Sequence, residues 1–305
     1  MTTIDEWEAA HKPIVVAVDG SERNRSAVAW AAREAAALGC GLDLVTALHD
    51  HVVPPPRPGA TKPRTGVPAM LERVRADVRQ LVPEQAVETH AVTGAPLEVL
   101  LDRGAGARLV VVGKRGLGGF ARLLVGSTSI ALAGRSPVPV AIVPDRWDQS
   151  AREGRPVVLG VDPFKPGTHP VHLAFRRARR LGVPLVAVHG WEAPTVFSWD
   201  ADVVTGAVAA HERDGEVRFD ALLAAWRRHY PEVVVRPMRV HRHPATAILE
   251  AAEEAQLVVL GRHATGLFGG FAVGSVARAV LHYAECPVLV VPSGEPGDGA
   301  AEAAG

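Results

Sequence analysis

Pro13-Ile-Val-Val-Ala-Val-Asp19 returns as Pro156-Val-Val-Leu-Gly-Val-Asp162, and Leu38-Gly39-Cys40-Gly41-Leu42 returns at the same offset as Leu181-Gly182-Val183-Pro184-Leu185. Further along, Leu109-Val-Val-Val-Gly113 is matched by Leu257-Val-Val-Leu-Gly261, and Val125-Gly126-Ser127 by Val273-Gly274-Ser275, both at one slightly larger offset. Ser136-Pro-Val-Pro-Val-Ala-Ile-Val-Pro144 and Glu285-Cys-Pro-Val-Leu-Val-Val-Pro292 close the two copies. A repeat of this length is a tandem duplication of a whole domain. The expected boundaries are 1–146 for the first domain and 147–292 for the second, with a disordered tail over 293–305 that lacks aromatic and β-branched aliphatic residues.

Within each copy, β-branched runs of strand length alternate with Ala-, Leu- and Arg-rich stretches whose apolar residues recur at three- and four-residue spacing. Parallel strands need crossover helices, and helices on both faces then bury the sheet. Each copy is therefore expected to be a doubly wound α/β domain. Val171, Ala174, Phe175, Ala178 and Leu181 make one helical face, which assigns Arg176, Arg177, Arg179 and Arg180 to a solvated one. Pro137, Pro139 and Pro287 cannot donate to a ladder, so the last strand of each copy is expected at a sheet edge. The proline-rich stretch His49 to Pro68 reads as an extended loop.

Charge excludes some functions. With 33 basic and 33 acidic residues the formal net charge is zero, so neither nucleic acid nor an anionic membrane is an expected partner. Cys40 and Cys286 are too few for a disulfide framework and lack the spacing of a zinc site, which favours a reducing cytoplasmic compartment. The opening residues carry acids and no apolar core of a leader, and the apolar runs are far shorter than a bilayer span.

The strongest chemical signal follows the strand at Leu109. Gly113-Lys-Arg-Gly116 is followed, after nine residues, by Gly126-Ser127-Thr128-Ser129 at the start of a helical pattern. Glycines let a backbone approach a ligand closely, and a helix start presents unpaired N–H groups and a positive dipole end. Together they form a phosphate cradle, in which Ser127 is the expected N-cap. The alternative, a turn and a cap, is weakened by recurrence of the pattern in the second copy. Asp19, at the end of a strand, reads either as a ligand or as a cap of the next helix. Lys114, Arg115 and Arg122 read as solvated residues, with phosphate screening as the alternative.

On these residues the chain resembles the universal stress protein family, whose ATP-binding members carry Gly, two residues, Gly, nine residues, then Gly and Ser or Thr. The resemblance spans nearly all of both repeats. It implies, for each copy, a five-stranded parallel sheet in the order 3-2-1-4-5, with nucleotide at the carboxyl ends of strands 1 and 4, the switch point of such sheets. It implies contacts to ATP, alone or with Mg2+, from Asp19, the backbone near Ala47, Gly113, Gly116, Gly126, Ser127, Thr128 and Ser129. The corresponding second set is Asp162, Gly190, Gly261, Gly274 and Ser275. It also implies a regulatory or sensing role in the stress response rather than an enzyme's, and pairing of the two copies as an intrachain pseudo-dimer through their last strands, with a homodimer left open.

The second copy departs from the pattern. Ala264 stands where Gly116 does, Arg242 where Gly94 does, and Pro163-Phe164 replaces Gly20-Ser21. A methyl group disfavours positive φ and crowds a ligand, so a weakened or altered site is expected. Gly116-Leu-Gly118-Gly-Phe-Ala121 fits a dinucleotide fingerprint formally but follows the wrong strand. His241 and His243 lack a third metal ligand and read as a surface pair. The same residues also fit two rival functions: a nucleotide-free interaction scaffold, and a slow ATPase or phosphotransfer enzyme.

Overall fold

The computed structural model describes residues 12–48, 66–116, 124–192, 201–262 and 273–293. The chain forms two compact units. The first contains β1 (Ile14–Ala17), α1 (Arg25–Leu38), β2 (Leu42–Leu48), α2 (Val67–Leu81), β3 (Val87–Thr93), α3 (Pro96–Ala105), β4 (Leu109–Gly113), α4 (Ser127–Arg135) and β5 (Val140–Val143). The second contains β6 (Val157–Gly160), α5 (Thr168–Leu181), β7 (Leu185–Trp191), α6 (Ala201–His229), β8 (Val235–His241), α7 (Pro244–Ala252), β9 (Leu257–Arg262), α8 (Ser275–Tyr283) and β10 (Val288–Pro292).

In the first unit β1 pairs in parallel with β2 and β4, β2 with β3, and β4 with β5, which gives the order 3-2-1-4-5. The second unit repeats the order with β8, β7, β6, β9 and β10. Helices cover both faces, so the central strands Ile-Val-Val-Ala and Leu-Val-Val-Val-Gly are buried almost throughout. Strand β3, Val-Glu-Thr-His-Ala-Val-Thr, mixes partly buried with exposed positions and has no fully buried residue, as the outermost strand of that order should.

The repeated Leu-Gly pairs are helix stops. Gly39 and Gly182 adopt φ of 61° and 64°, and their N–H groups cap the carbonyls of Ala35 and Ala36 in α1 and of Ala178 and Arg179 in α5. In α5 the expected apolar face is buried over Val171, Ala174, Phe175 and Ala178, and full burial of a side chain such as Phe175 contributes roughly 1.5–3 kcal/mol.

Some expectations need correction. Arg177 is buried rather than solvated, and desolvation holds its guanidinium well below the ordinary arginine value, with Arg180 pushing the same way. The apolar stripe of α5 is wider than five residues because 177 lies one turn beyond Ala174. Pro68 belongs to the first turn of α2, where its missing N–H has no intrahelical role, rather than to a loop. Pro139 and Pro287 immediately precede their strands and use their carbonyls to accept from Val110 and Val258. The rest of the proline-rich stretch, 49–65, and the tail from 294 onward lie outside the described residues.

Candidate functional site

In the first unit, β1 and β4 are adjacent, so their carboxyl ends bring Asp19 beside the glycine loop. Asp19 Oδ1 accepts the Ser21 N–H at 2.9 Å, an Asx turn that fixes the carboxylate. Its Oδ2 faces Gly116: a Cβ placed on that glycine would lie 3.3 Å away. Gly116 itself is exposed. The glycine therefore keeps open the space in front of the aspartate.

The loop is held by bonds that the sequence does not announce. Lys114 donates its N–H to Val143 O at 2.7 Å, and Gly126 donates to Lys114 O at 2.8 Å. The Ser129 hydroxyl donates to Gly113 O at 2.9 Å and is buried, which fastens the first turn of α4 to the end of β4. Arg115 donates from Nε and Nη2 to Asp145 Oδ2 at 2.8 and 2.7 Å, and Ser26 Oγ donates to the Asp145 carbonyl. Asn24, buried on the far side, donates to Ala17 O at 3.0 Å, and its Nδ2 would stand 3.6 Å from a Cβ on Gly113. Thr46 donates to Val18 O at 2.8 Å.

Gly126, with φ −68° and ψ 144°, is the N-cap of α4, which makes Ser127 the first helical residue instead of the expected cap. Ser127 is exposed and Thr128 half-exposed, while the first-turn amides have no intrahelical acceptor. Ala47 lies half-buried near the carboxyl end of β2. Among the described residues the site is thus a hydrogen-bonded rim of main chain around the start of α4, with one fixed carboxylate at its edge. Such a rim matches an anion whose other end carries hydroxyls.

The second unit keeps the framework and changes the fittings. Asp162 Oδ1 accepts the Phe164 N–H at 3.0 Å, the same Asx turn. Where the first unit has the small Ser21, however, the Phe164 ring stacks on His211 of α6 at 4.5 Å between centroids and 11° between planes. The Arg218 guanidinium lies 5.5 Å from the same ring's centroid, and Gly215 borders the ring at ordinary contact distance, a Cβ there being 3.5 Å from Phe164 Cε2. His189 replaces Thr46 and is likewise buried at this end of the sheet. Its burial lowers the imidazole below the ordinary histidine value, against opposing contributions from the Val161 backbone and Asp162. Gly190 is tightly backed: a Cβ would come 2.8 Å from Pro244 Cα and 3.0 Å from Arg242 O, so glycine serves the packing of α7 on β7. Ala277 and Val276 occupy the places of Ser129 and Thr128, and Ser293 that of Asp145. Gly274 is the N-cap of α8, where an added Cβ would meet none of the described residues within 4 Å, and Ser275 is exposed.

The family model of the universal stress protein family matches residues 10–144 and again 154–292. The chain belongs to the universal stress protein family. A universal stress protein of Mycolicibacterium smegmatis is 35% identical over 297 residues, covering 91% of this chain and 96% of its own length. One of Mycobacterium tuberculosis is 33% identical over 294 residues, covering 91% and 96%. Among solved structures, a universal stress protein of Archaeoglobus fulgidus superposes with a TM-score of 0.61 at 17% identity, covering 93% of this chain and 97% of its own, which establishes the shared fold.

Within the first universal stress domain, the structure brings Asp19, Gly113, Gly116, Gly126, Ser127, Thr128 and Ser129 to one end of the sheet. Ser129 is a fastener there, since its hydroxyl is directed to Gly113. Arg115 is committed to Asp145 rather than solvated. In the second domain Asp162, Gly261, Gly274 and Ser275 occupy the matching strand and helix ends. Ala264, Arg122 and most of the formal dinucleotide fingerprint lie outside the described residues. His243 caps α7 by accepting the Ala245 N–H, and His241 stacks on Trp191 at 4.2 Å. Sequence reasoning missed Asn24, Asp145 and the filling role of Phe164. A comparison of the copies does flag them, because Gly167, Ser293 and Ser21 stand opposite.

Proposed function

We propose that the first unit is an adenine-nucleotide receptor for ATP, alone or as its Mg2+ complex, and that the chain acts as a regulatory or sensing module in the stress response. The observation that carries this reading is the apposition of Asp19 Oδ2 and the exposed Gly116 at the mouth of a glycine loop that ends on a helix start. Gly113, Gly116, Gly126, Ser127 and Thr128 line the phosphate end, where the helix dipole and main-chain N–H groups favour negative charge. Asp19 accepts from ribose hydroxyls, and the backbone near Ala47 borders the base. Ser129, Asn24 and Asp145 hold the rim.

In the second unit the Phe164 ring, stacked on His211 and faced by Arg218, stands two residues after Asp162 where the first unit has Ser21, which supports a nucleotide-poor role for that half. We also propose that the last strands of the two copies cover one another, because unpaired apolar edges invite pairing. Light scattering tests this: separated halves should self-associate, whereas a full chain that assembles no differently from its halves would refute it. The nucleotide reading is tested by denaturing freshly purified protein and chromatographing the supernatant. Recovery of ATP supports it, and failure of the protein both to retain ATP and to bind added ATP in calorimetry would overturn it.

A further inference from the structure

Three metal-ligating side chains meet away from the glycine loop. Asp43 on β2 pairs in register with Glu88 on β3, and Val45 with His90, so Asp43, Glu88 and His90 lie on one face of the sheet. Asp43 is four residues before Ala47 on the same strand, roughly 13 Å at about 3.3 Å per residue, so the cluster lies toward the amino ends of the strands. His90 Nε2 is 3.6 Å from Asp43 Oδ2 and 3.6 Å from Glu88 Oε2. Both separations exceed a hydrogen bond, and Nε2 is buried with no hydrogen-bond partner among the described residues. One atom from each of the three residues lies within 4.8 Å of the others.

We propose that Asp43, Glu88 and His90 form a binding site for a zinc-like divalent cation on the outer strands of the first unit, separate from the nucleotide site. Ligands about 2.1 Å from a tetrahedral zinc stand about 3.4 Å apart, close to both observed separations. A mixed nitrogen and oxygen set suits zinc and its neighbours, whereas Mg2+ and Ca2+ prefer oxygen alone. The site has a fixed half and a mobile half. The Asp43 and His90 side chains are only 17% and 21% exposed, while Glu88 is 76% exposed and able to swing onto an ion. Burial raises the Asp43 carboxyl above its ordinary range and the neighbouring Glu88 adds to this, while His90 and Arg103 of α3 oppose it. A bound cation would offset that clustering of negative charge. Three protein ligands leave one position for water or an external group.

The alternative is a protonated His90 bridging two acids, with no affinity for metal. Calorimetric titration of the chelator-treated full chain with Zn2+ separates the two, alongside His90→Gln, the isosteric Asp43→Asn, and His241→Gln as a control for surface histidines. The expected result is one Zn2+ site that both cluster variants weaken by more than about tenfold, the scale on which even outer-shell changes act. His241→Gln should retain it, Mg2+ should not compete, and Co2+ should give the visible absorption of a four-coordinate ion, which His90→Gln loses. Equal Zn2+ stoichiometry and affinity in the wild type and Asp43→Asn, with both folded by circular dichroism, would overturn the proposal. This test does not involve ATP, so the nucleotide reading and the metal site can fail independently.

Discussion

The two units share strand order, the Asx turn at the first aspartate and the glycine N-cap of the helix after the fourth strand, yet their carboxyl ends differ in chemistry. The first unit spends polar side chains on fixing an open rim: Ser129 on Gly113, Arg115 on Asp145, Asn24 on Ala17. At the corresponding places the second unit has Ala277, Ser293 and Gly167, and an aromatic ring lies beside its aspartate. Duplication preserves the fold through the buried strands, which tolerate apolar exchange. The site depends on a few hydroxyls and glycines that packing alone does not demand. A scaffold can therefore outlast the binding site built on it.

The contrast is broken most severely by Gly116→Val. The new side chain begins 3.3 Å from Asp19 Oδ2, so ATP affinity of the full chain should fall at least about 100-fold, near 2.7 kcal/mol, with little change in the unfolding midpoint. Calorimetry beside a denaturant titration checks both parts. A second experiment reverses the contrast: Pro163→Gly with Phe164→Ser removes the ring stacked on His211. A second ATP-binding event should then emerge, at least about tenfold weaker than the first, because Ala277 and Val276 still lack the hydroxyls of Ser129 and Thr128. A second site as tight as the first would show that the ring alone separates the two halves.

Ser129→Ala should weaken ATP binding by about tenfold and reduce stability by about 1 kcal/mol, since the Gly113 carbonyl loses its donor. Thr128→Val, which copies Val276, should leave stability nearly unchanged, as its side chain is half-exposed. The smallest effect concerns pH. His189 titrates below the ordinary value of 6.5 when folded, so between the two values the unfolded state holds more protons. Stability of the second unit should fall as pH drops through that window and level off below the folded value. His189→Thr, which copies Thr46, should remove this contribution, and an unchanged pH slope in urea titrations would contradict the assignment.

Much of the fold is legible because it rests on patterns with a period. The duplicated apolar runs mark strands, and the Leu-Gly pairs mark helix ends, as φ at Gly39 and Gly182 shows. The glycine loop is legible for the same reason, since spacing survives in one dimension. Long-range fixtures are not: Arg115 with Asp145 spans the pairing of β4 with β5, and Ser26 with the Asp145 carbonyl needs α1 to pack beside β5. Arg177 looked solvated because a charge run conceals one buried member, and Ser127 looked like a cap because glycine caps helices less often than serine. Asp43, Glu88 and His90 were illegible because no sequence spacing connects residues joined by strand register.

Native mass spectrometry of the full-length chain in saturating ATP most directly tests whether one half alone is the receptor. One nucleotide per chain is expected, lost in Gly116→Val and retained when the glycine N-cap of α8 in the second unit is changed, Gly274→Val. Two equally retained nucleotides, or a single one that survives Gly116→Val and disappears with Gly274→Val, would contradict the assignment.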